Sequence, residues 1–173
     1  MCAGSVLGSD GVRHTRVGQL AYPEVMPSES SGTAGDPYNL QRFVDAQNPV
    51  FAHVQSELRK GRKTTHWMWF IFPQISGLGS SPTARYFAIS SLGEARAYLS
   101  HPILGPRLIE CCLLATLVER RSIHDIFGSP DDLKFHSSIT LFHQAAAPDN
   151  AVFRQALDKY FEGIPDRLTL ERL

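Results

Sequence analysis

Hydrophobic positions recur every three or four residues along most of this chain, which is the spacing of amphipathic helices rather than of strands. A capping residue followed by proline is a helix-start signal, and it precedes such stripes at Asp36-Pro37, Asn48-Pro49 and Ser81-Pro82. Gly61 closes the second stripe, as a glycine at a helix end commonly does. The pattern therefore predicts short helices, with order beginning at Asp36.

The second half of the chain carries clearer helix signals of the same kind. Ser91–Glu94 reads as a capping box, and an apolar stripe predicts a longer helix from about Pro106 to Glu119. A single turn is expected over Ser122–Gly128, a further helix starts at Ser129–Asp132, and a final one spans Asp149–Gly163. We therefore predict an all-α fold, a compact single-domain bundle of short helices.

One apolar stretch, Thr65–Phe72, fits a short buried strand as well as a buried helix, since periodicity alone cannot separate the two. Thr64 or Thr65 as a cap and Pro73 as a terminator favour the helix.

Residues 1–35 are rich in Gly, Ser and Pro and show no apolar periodicity. Such a segment buries too little surface to offset its ordering entropy, so we predict a disordered extension there and one globular domain over residues 36–173.

Composition narrows the function classes. Seventeen basic and seventeen acidic residues cancel, which argues against a nucleic-acid partner. The apolar runs are too short for a membrane span of roughly 20 residues, and no secretory leader is visible, so we expect a cytoplasmic protein.

Cys111 and Cys112 are expected to be buried and reduced, and no metal or cofactor motif is present.

The most unusual segment is GRKTTHWMWFIFPQISGLG, residues 61–79, where cations run directly into aromatics. Most of these aromatics are expected to pack in the core. Trp67 or Trp69 is nevertheless suited to stacking a planar ring, Lys63 to compensating an anion and Gln74 to hydrogen bonding. His66 is the candidate proton shuttle.

Two further stretches offer polar groups. Gly77 and Gly79 lead into a capped helix start with Arg85 on its first turn, which is either an anion site or an ordinary loop-to-helix connection. Arg107 follows a dense turn and is a second candidate for an anion.

A last stretch, residues 131–142, puts Lys134 and Ser137 on one side of a helix. Small hydroxyls beside a lysine suggest either close helix contact or contact with a ligand. Asp131 and Asp132 are more simply acids at a helix start than an acid/base pair.

Three motifs resemble one known family: GRKTTHWMWFIFPQISGLGSS, EARAYLSHPILGPRL and IFGSPDDLKFHSSITLF. That family is the mainly helical domain of unknown function eighteen-ten, some of whose members carry the label calpastatin. The resemblance runs from about Pro37 to Phe161 and implies a mainly α fold without an established activity. A weaker likeness to N-glycosidase-like proteins associated with NAD and ADP-ribose rests on Thr65-His66-Trp67 and Lys134, with Thr65 standing where that family has Glu.

Two hypotheses follow. In the first, the domain binds, and in one version hydrolyses, a phosphate-bearing, ring-containing metabolite such as a nucleotide or ADP-ribose derivative, with His66 and Lys134 as the catalytic candidates. In the second, residues 66–74 form a non-catalytic protein-interaction surface. Convergence of the polar candidates on one concave pocket would favour the first.

Overall fold

The computed structural model describes residues 35–149 and 151–173. Within these ranges the fold is mostly helical, as predicted, and pairing of strand type is confined to an isolated parallel bridge between Ile75 and Ile89. The predicted extension over residues 1–35 lies outside the described residues, apart from Gly35. The helices in chain order are α1 (Gln41–Gln47), α2 (Phe51–Arg59), α3 (Met68–Ile71), α4 (Pro82–Tyr86), α5 (Leu92–Ser100), α6 (Leu104–Leu117), α7 (Ile123–Phe127), α8 (Asp131–Ala145), α9 (Ala151–Phe161) and α10 (Arg167–Leu170).

Serine caps start three of these helices where the sequence predicted a start. The hydroxyl of Ser81 accepts the Ala84 backbone N–H at 3.1 Å, and Ser91 caps α5 through the Glu94 N–H at 3.2 Å. Ser122 forms a full capping box with Asp125. These starts could be predicted because each cap uses only neighbouring residues.

The start of the first helix was placed too early. The Asp36 carboxylate accepts the N–H groups of Leu40 at 2.8 Å and Gln41 at 2.9 Å, so it caps a preceding turn, and α1 begins only at Gln41. The capping box at α5 is also incomplete. Glu94 does not reach back to Ser91 but accepts from Ser90 and pairs with Arg42 at 2.7 Å.

Helix α8 occupies the centre of the domain and packs against α5, α7, α9 and α10. Phe135, Ile139 and Phe142 lie on its buried side and are almost completely excluded from solvent. Helix α6 packs against α2, α5 and α9, with Cys111 and Cys112 buried between them as predicted. The core is therefore continuous across the described helices.

The segment between α2 and α3 is held by a buried carboxylate and not by a threonine cap. Glu57, 4% exposed, accepts hydrogen bonds from the backbone N–H and hydroxyl groups of both Thr64 and Thr65 and from the Trp67 indole N–H at 2.7 Å. The predicted threonine cap of α3 was therefore wrong. The ambiguous stretch does form a helix, although of only four residues.

No helix in residues 35–149 or 151–173 has the length and apolar character needed to cross a membrane.

Candidate ligand-binding cleft

A surface cleft of about 430 Å³ lies between α3, the loop before α4, the start of α8 and the C-terminal helix. Three of the predicted ligand-binding side chains line it together with a predicted glycine and the catalytic candidate Lys134. Its lining residues are Trp69, Gln74, Leu78, Gly79, Ser80, Ser81, Ala84, Pro130, Leu133, Lys134, Ser137 and Leu168. The polar candidates converge there only in part, because Gln74 and Lys134 line the cleft whereas Lys63, His66 and Arg85 do not.

A cluster of three charges stands at one wall of the cleft. Asp131 binds two ammonium groups, Lys134 Nζ through Oδ1 at 2.7 Å and Lys63 Nζ through Oδ2 at 2.6 Å. Burial opposes ionisation of this carboxyl, but hydrogen bonds from both lysines outweigh it and hold the pKa of Asp131 below its ordinary value. The cluster therefore carries one net positive charge, and only Lys134 among its members lines the cleft.

The two tryptophans have different roles. Trp67 is 1% exposed and packs edge-to-face with Phe127 at 6.0 Å, with its indole N–H bonded to Glu57. The prediction that Trp67 stacks a ligand ring was therefore wrong, because both its surface and its polar group are already used. Trp69 is half-buried and lines the cleft, where Lys134 Nζ lies 4.5 Å from its ring centroid.

Ser137 lines the cleft but also holds the C-terminal helix. Its hydroxyl donates to Asp166 Oδ2 at 3.0 Å, and the same oxygen accepts from the Thr169 hydroxyl at 2.6 Å. Asp166 caps α10 by accepting the Thr169 backbone N–H at 3.0 Å, and its own backbone N–H donates to the Thr140 hydroxyl oxygen at 2.8 Å. The small hydroxyls of α8 thus serve close helix contact, and they set Leu168 into the cleft wall.

The remaining predicted site residues do not line this cleft. His66 and Arg85 are exposed, and Gly77 sits in an exposed turn where it lies against Arg172. Arg107 is committed elsewhere, donating to Asn48 at 2.9 Å and lying over the Phe51 ring.

Each of these misplacements has a physical reason. Arg85 lies in α4, a helix of five residues, and the orientation of that helix sets the direction of the Arg85 side chain. The sequence motif could not predict this orientation. Arg107 is turned toward α1 and α2 because a side-chain amide and an aromatic face there satisfy its guanidinium. The predicted contributions of Gly77, Arg85 and Arg107 to a shared site are therefore wrong, and Lys134 supplies the cation of the cleft.

Sequence reasoning missed three contributors to the cleft. Asp131 was interpreted as a helix-start acid, although it also bridges the two lysines. Leu133 and Leu168 were not singled out, yet they are 63% and 47% exposed and form apolar walls. For Leu133 the available signal was a leucine at an exposed position of a predicted helix, whereas Leu168 lies in α10, which the sequence pattern did not predict.

The fold and the cleft described above define a small helical domain with a concave, partly apolar site that carries a lysine. The chain matches the model of the family described as "Protein of unknown function (DUF1810)" over residues 37–173, and it belongs to that family. A solved structure, the conserved hypothetical protein Rv1873 from Mycobacterium tuberculosis, is 56% identical with a TM-score of 0.78, and the match covers 80% of this chain and 98% of that one. No curated protein matches the chain.

Proposed function

We propose that the cleft binds a small anionic metabolite that carries an aromatic ring, such as a nucleotide or ADP-ribose derivative. The single observation that carries this proposal is the meeting of Trp69, Gln74 and Lys134 in one concave site. An indole face, a two-sided amide and an ammonium group are the parts needed to hold a ring, its polar edge and an anion.

Lys134 supplies the electrostatic attraction. Its ammonium has three N–H donors, of which one is used on Asp131 at 2.7 Å. Lys63 shares the same carboxylate, so Asp131 does not cancel the whole charge of the pair. An anion that accepts from Lys134 therefore meets a net attractive field, at a position where partial burial strengthens the interaction.

Binding is better supported than hydrolysis. The predicted proton shuttle, His66, is exposed and lies outside the cleft lining. Among the described lining residues Lys134 alone has an ionisable side chain, so the lining contributes neither a carboxylate nor an imidazole as a general base.

The alternative hypothesis, a protein-interaction surface on residues 66–74, has less support. Trp67, Met68, Ile71 and Phe72 are at most 1% exposed, so most of the segment is unavailable to a partner. Exposed aromatic anchors are what such an interface needs.

A thermal-shift and calorimetric screen tests the proposal. The full chain is titrated with adenosine monophosphate, NAD, ADP-ribose and sugar phosphates. A ligand at about 100 times its Kd stabilises the folded state by about 2.7 kcal/mol, which raises Tm by several degrees.

The Lys134→Met variant keeps the aliphatic stem and removes the charge, so it should lose the ligand-dependent shift. Lys60→Met is the matched control, since Lys60 is an exposed lysine outside the cleft. The proposal would be overturned if none of the compounds changed the Tm of the wild-type protein. It would also be overturned if a compound raised the Tm of the wild type and of Lys134→Met equally.

A further inference from the structure

We infer that the ligand of this cleft carries a single anionic group of one negative charge, a carboxylate or a phosphodiester, on an apolar or aromatic body. This inference rests on the proposed function and narrows its substrate class, setting ligands with one anionic group apart from polyphosphates. Three observations carry it: the charge of the lysine cluster, the neutral character of the rest of the lining, and two exposed leucines.

The charge balance of the cluster comes first. Lys63 and Lys134 contribute two positive charges and Asp131 one negative charge, so one positive charge remains to be matched. The Lys63 side chain is only 8% exposed, so ligand atoms reach the cluster through Lys134. A second anionic group placed there would face the Asp131 carboxylate without a second cation to compensate it.

The rest of the lining is neutral. Its polar side chains are Gln74, Ser80, Ser81 and Ser137. The Ser81 hydroxyl is occupied in capping α4, and Ser137 donates to Asp166. Gln74 and Ser80 are thus left for the polar edge of a ring, and neither carries a charge with which to hold another anion.

Exposed apolar walls complete the site. Leu133 from α8 and Leu168 from α10 are 63% and 47% exposed, although both line a concave surface. Leu78, Ala84 and Pro130 extend this apolar lining. Covering such side chains removes apolar surface from water, so a ligand with an apolar body gains affinity that a chain of phosphates does not.

Two matched ligand series test the inference on the full chain. Phenylacetamide, phenylacetate and phenylmalonate share one ring and carry zero, one and two charges. Adenosine, cyclic adenosine 3′,5′-monophosphate and adenosine triphosphate form the larger-ring series, in which the cyclic phosphodiester is the singly anionic member. Fluorescence of Trp69 reports the phenyl series and calorimetry reports both.

We expect the singly anionic member to bind more tightly than the neutral one, and the more highly charged member to bind equally or more weakly. Lys134→Met should weaken phenylacetate binding about 10- to 100-fold, which corresponds to the loss of a charged hydrogen bond. Lys134→Arg should retain most of the affinity. Lys60→Met, which removes an exposed cation outside the lining, should leave phenylacetate binding unchanged.

The outcomes separate the two proposals. Tighter binding of phenylmalonate or of the triphosphate overturns the single-anion inference and leaves the proposed function intact. Equal binding of the neutral and singly anionic members also overturns it, because Lys134 would then contribute nothing. If no member of either series binds, the inference and the proposed function fall together.

Discussion

The buried carboxylate of Glu57 gives the sharpest test of how residues 60–67 are held. Its side chain is 6% exposed, and burial opposes its ionisation. Hydrogen bonds from Thr64, Trp67 and Thr65 outweigh that penalty and lower the pKa of Glu57 to about 2, from an ordinary value of 4.5. The charged form is therefore stabilised by folding, and replacing it with a neutral amide should destabilise the domain.

The magnitude and its pH dependence follow from the two pKa values. A depression from 4.5 to about 2 corresponds to about 3 kcal/mol of stability at neutral pH. Since the folded-state pKa is the lower one, this contribution is complete above about pH 5 and is lost as the pH falls toward 2. At about pH 3 roughly 1 kcal/mol of it remains.

Urea denaturation of the wild type and of Glu57→Gln measures this contribution. At pH 7 the variant should be less stable by about 3 kcal/mol, because Gln accepts fewer hydrogen bonds and leaves buried donors unpaired. The difference should shrink to roughly 1 kcal/mol at about pH 3, because the carboxyl is then mostly protonated in the unfolded chain and folding has to ionise it. Glu119→Gln, at an exposed position, is the control and should change stability by less than about 0.5 kcal/mol.

Two results would refute the reasoning about Glu57. One is a loss below about 1 kcal/mol at pH 7, which would mean that the hydrogen bonds hold the loop no better than water does. The other is a stability difference that is the same at both pH values, since the effect would then not come from the ionised carboxyl.

Three further predictions concern close packing and burial. Gly105→Ala should destabilise the protein by more than about 2 kcal/mol in urea titrations, because the added Cβ would lie 2.0 Å from the Leu99 carbonyl oxygen. Helix propensity alone would raise the free energy of unfolding by about 1 kcal/mol, and such an increase would contradict the prediction. Arg42→Met should lower the free energy of unfolding by about 3 kcal/mol or more in the same assay, because it leaves the buried Glu94 carboxylate without its ion partner. A decrease of less than about 1 kcal/mol would show that the ion pair is dispensable. Burial raises the pKa of the Cys112 thiol to about 12, so a thiol reagent at pH 8 should label this residue only after the protein unfolds. Labelling of Cys112 in the native protein, detected by mass spectrometry, would disprove the packing.

The sequence was sufficient where structure depends on neighbouring residues. The starts of α4, α5 and α7 were predictable because a serine side chain bonds a backbone N–H three residues later. Helix α10 was missed although its cap is also local, since Asp166 accepts the Thr169 N–H three residues later. Its four residues are too few for a periodic signal.

The cleft was predictable in part for similar reasons. Lys134 and Ser137 share a side of α8 by helical geometry, so their meeting followed from spacing alone. Which of the two tryptophans, Trp67 or Trp69, lines the cleft could not be predicted from spacing. Two residues apart at a helix start, the indoles point in different directions, and only the position of Glu57 decides which of them is buried.

The position of Trp69 in the cleft depends on two carboxylates, one buried and one partly buried, that belong to different helices. Glu57 on α2 fixes Trp67 through its indole N–H, and Asp131 on α8 fixes Lys63 through its ammonium. Lys63 and Trp67 thus anchor the chain just before Trp69, so the backbone there has little freedom to reorient the half-buried indole. Because Asp131 also holds Lys134, the carboxylate that anchors the aromatic segment is the one that positions the cation of the cleft. Lys63 is one of the basic residues that precede the aromatic segment. It helps to assemble the site through its ion pair with Asp131, and it does not itself line the cleft.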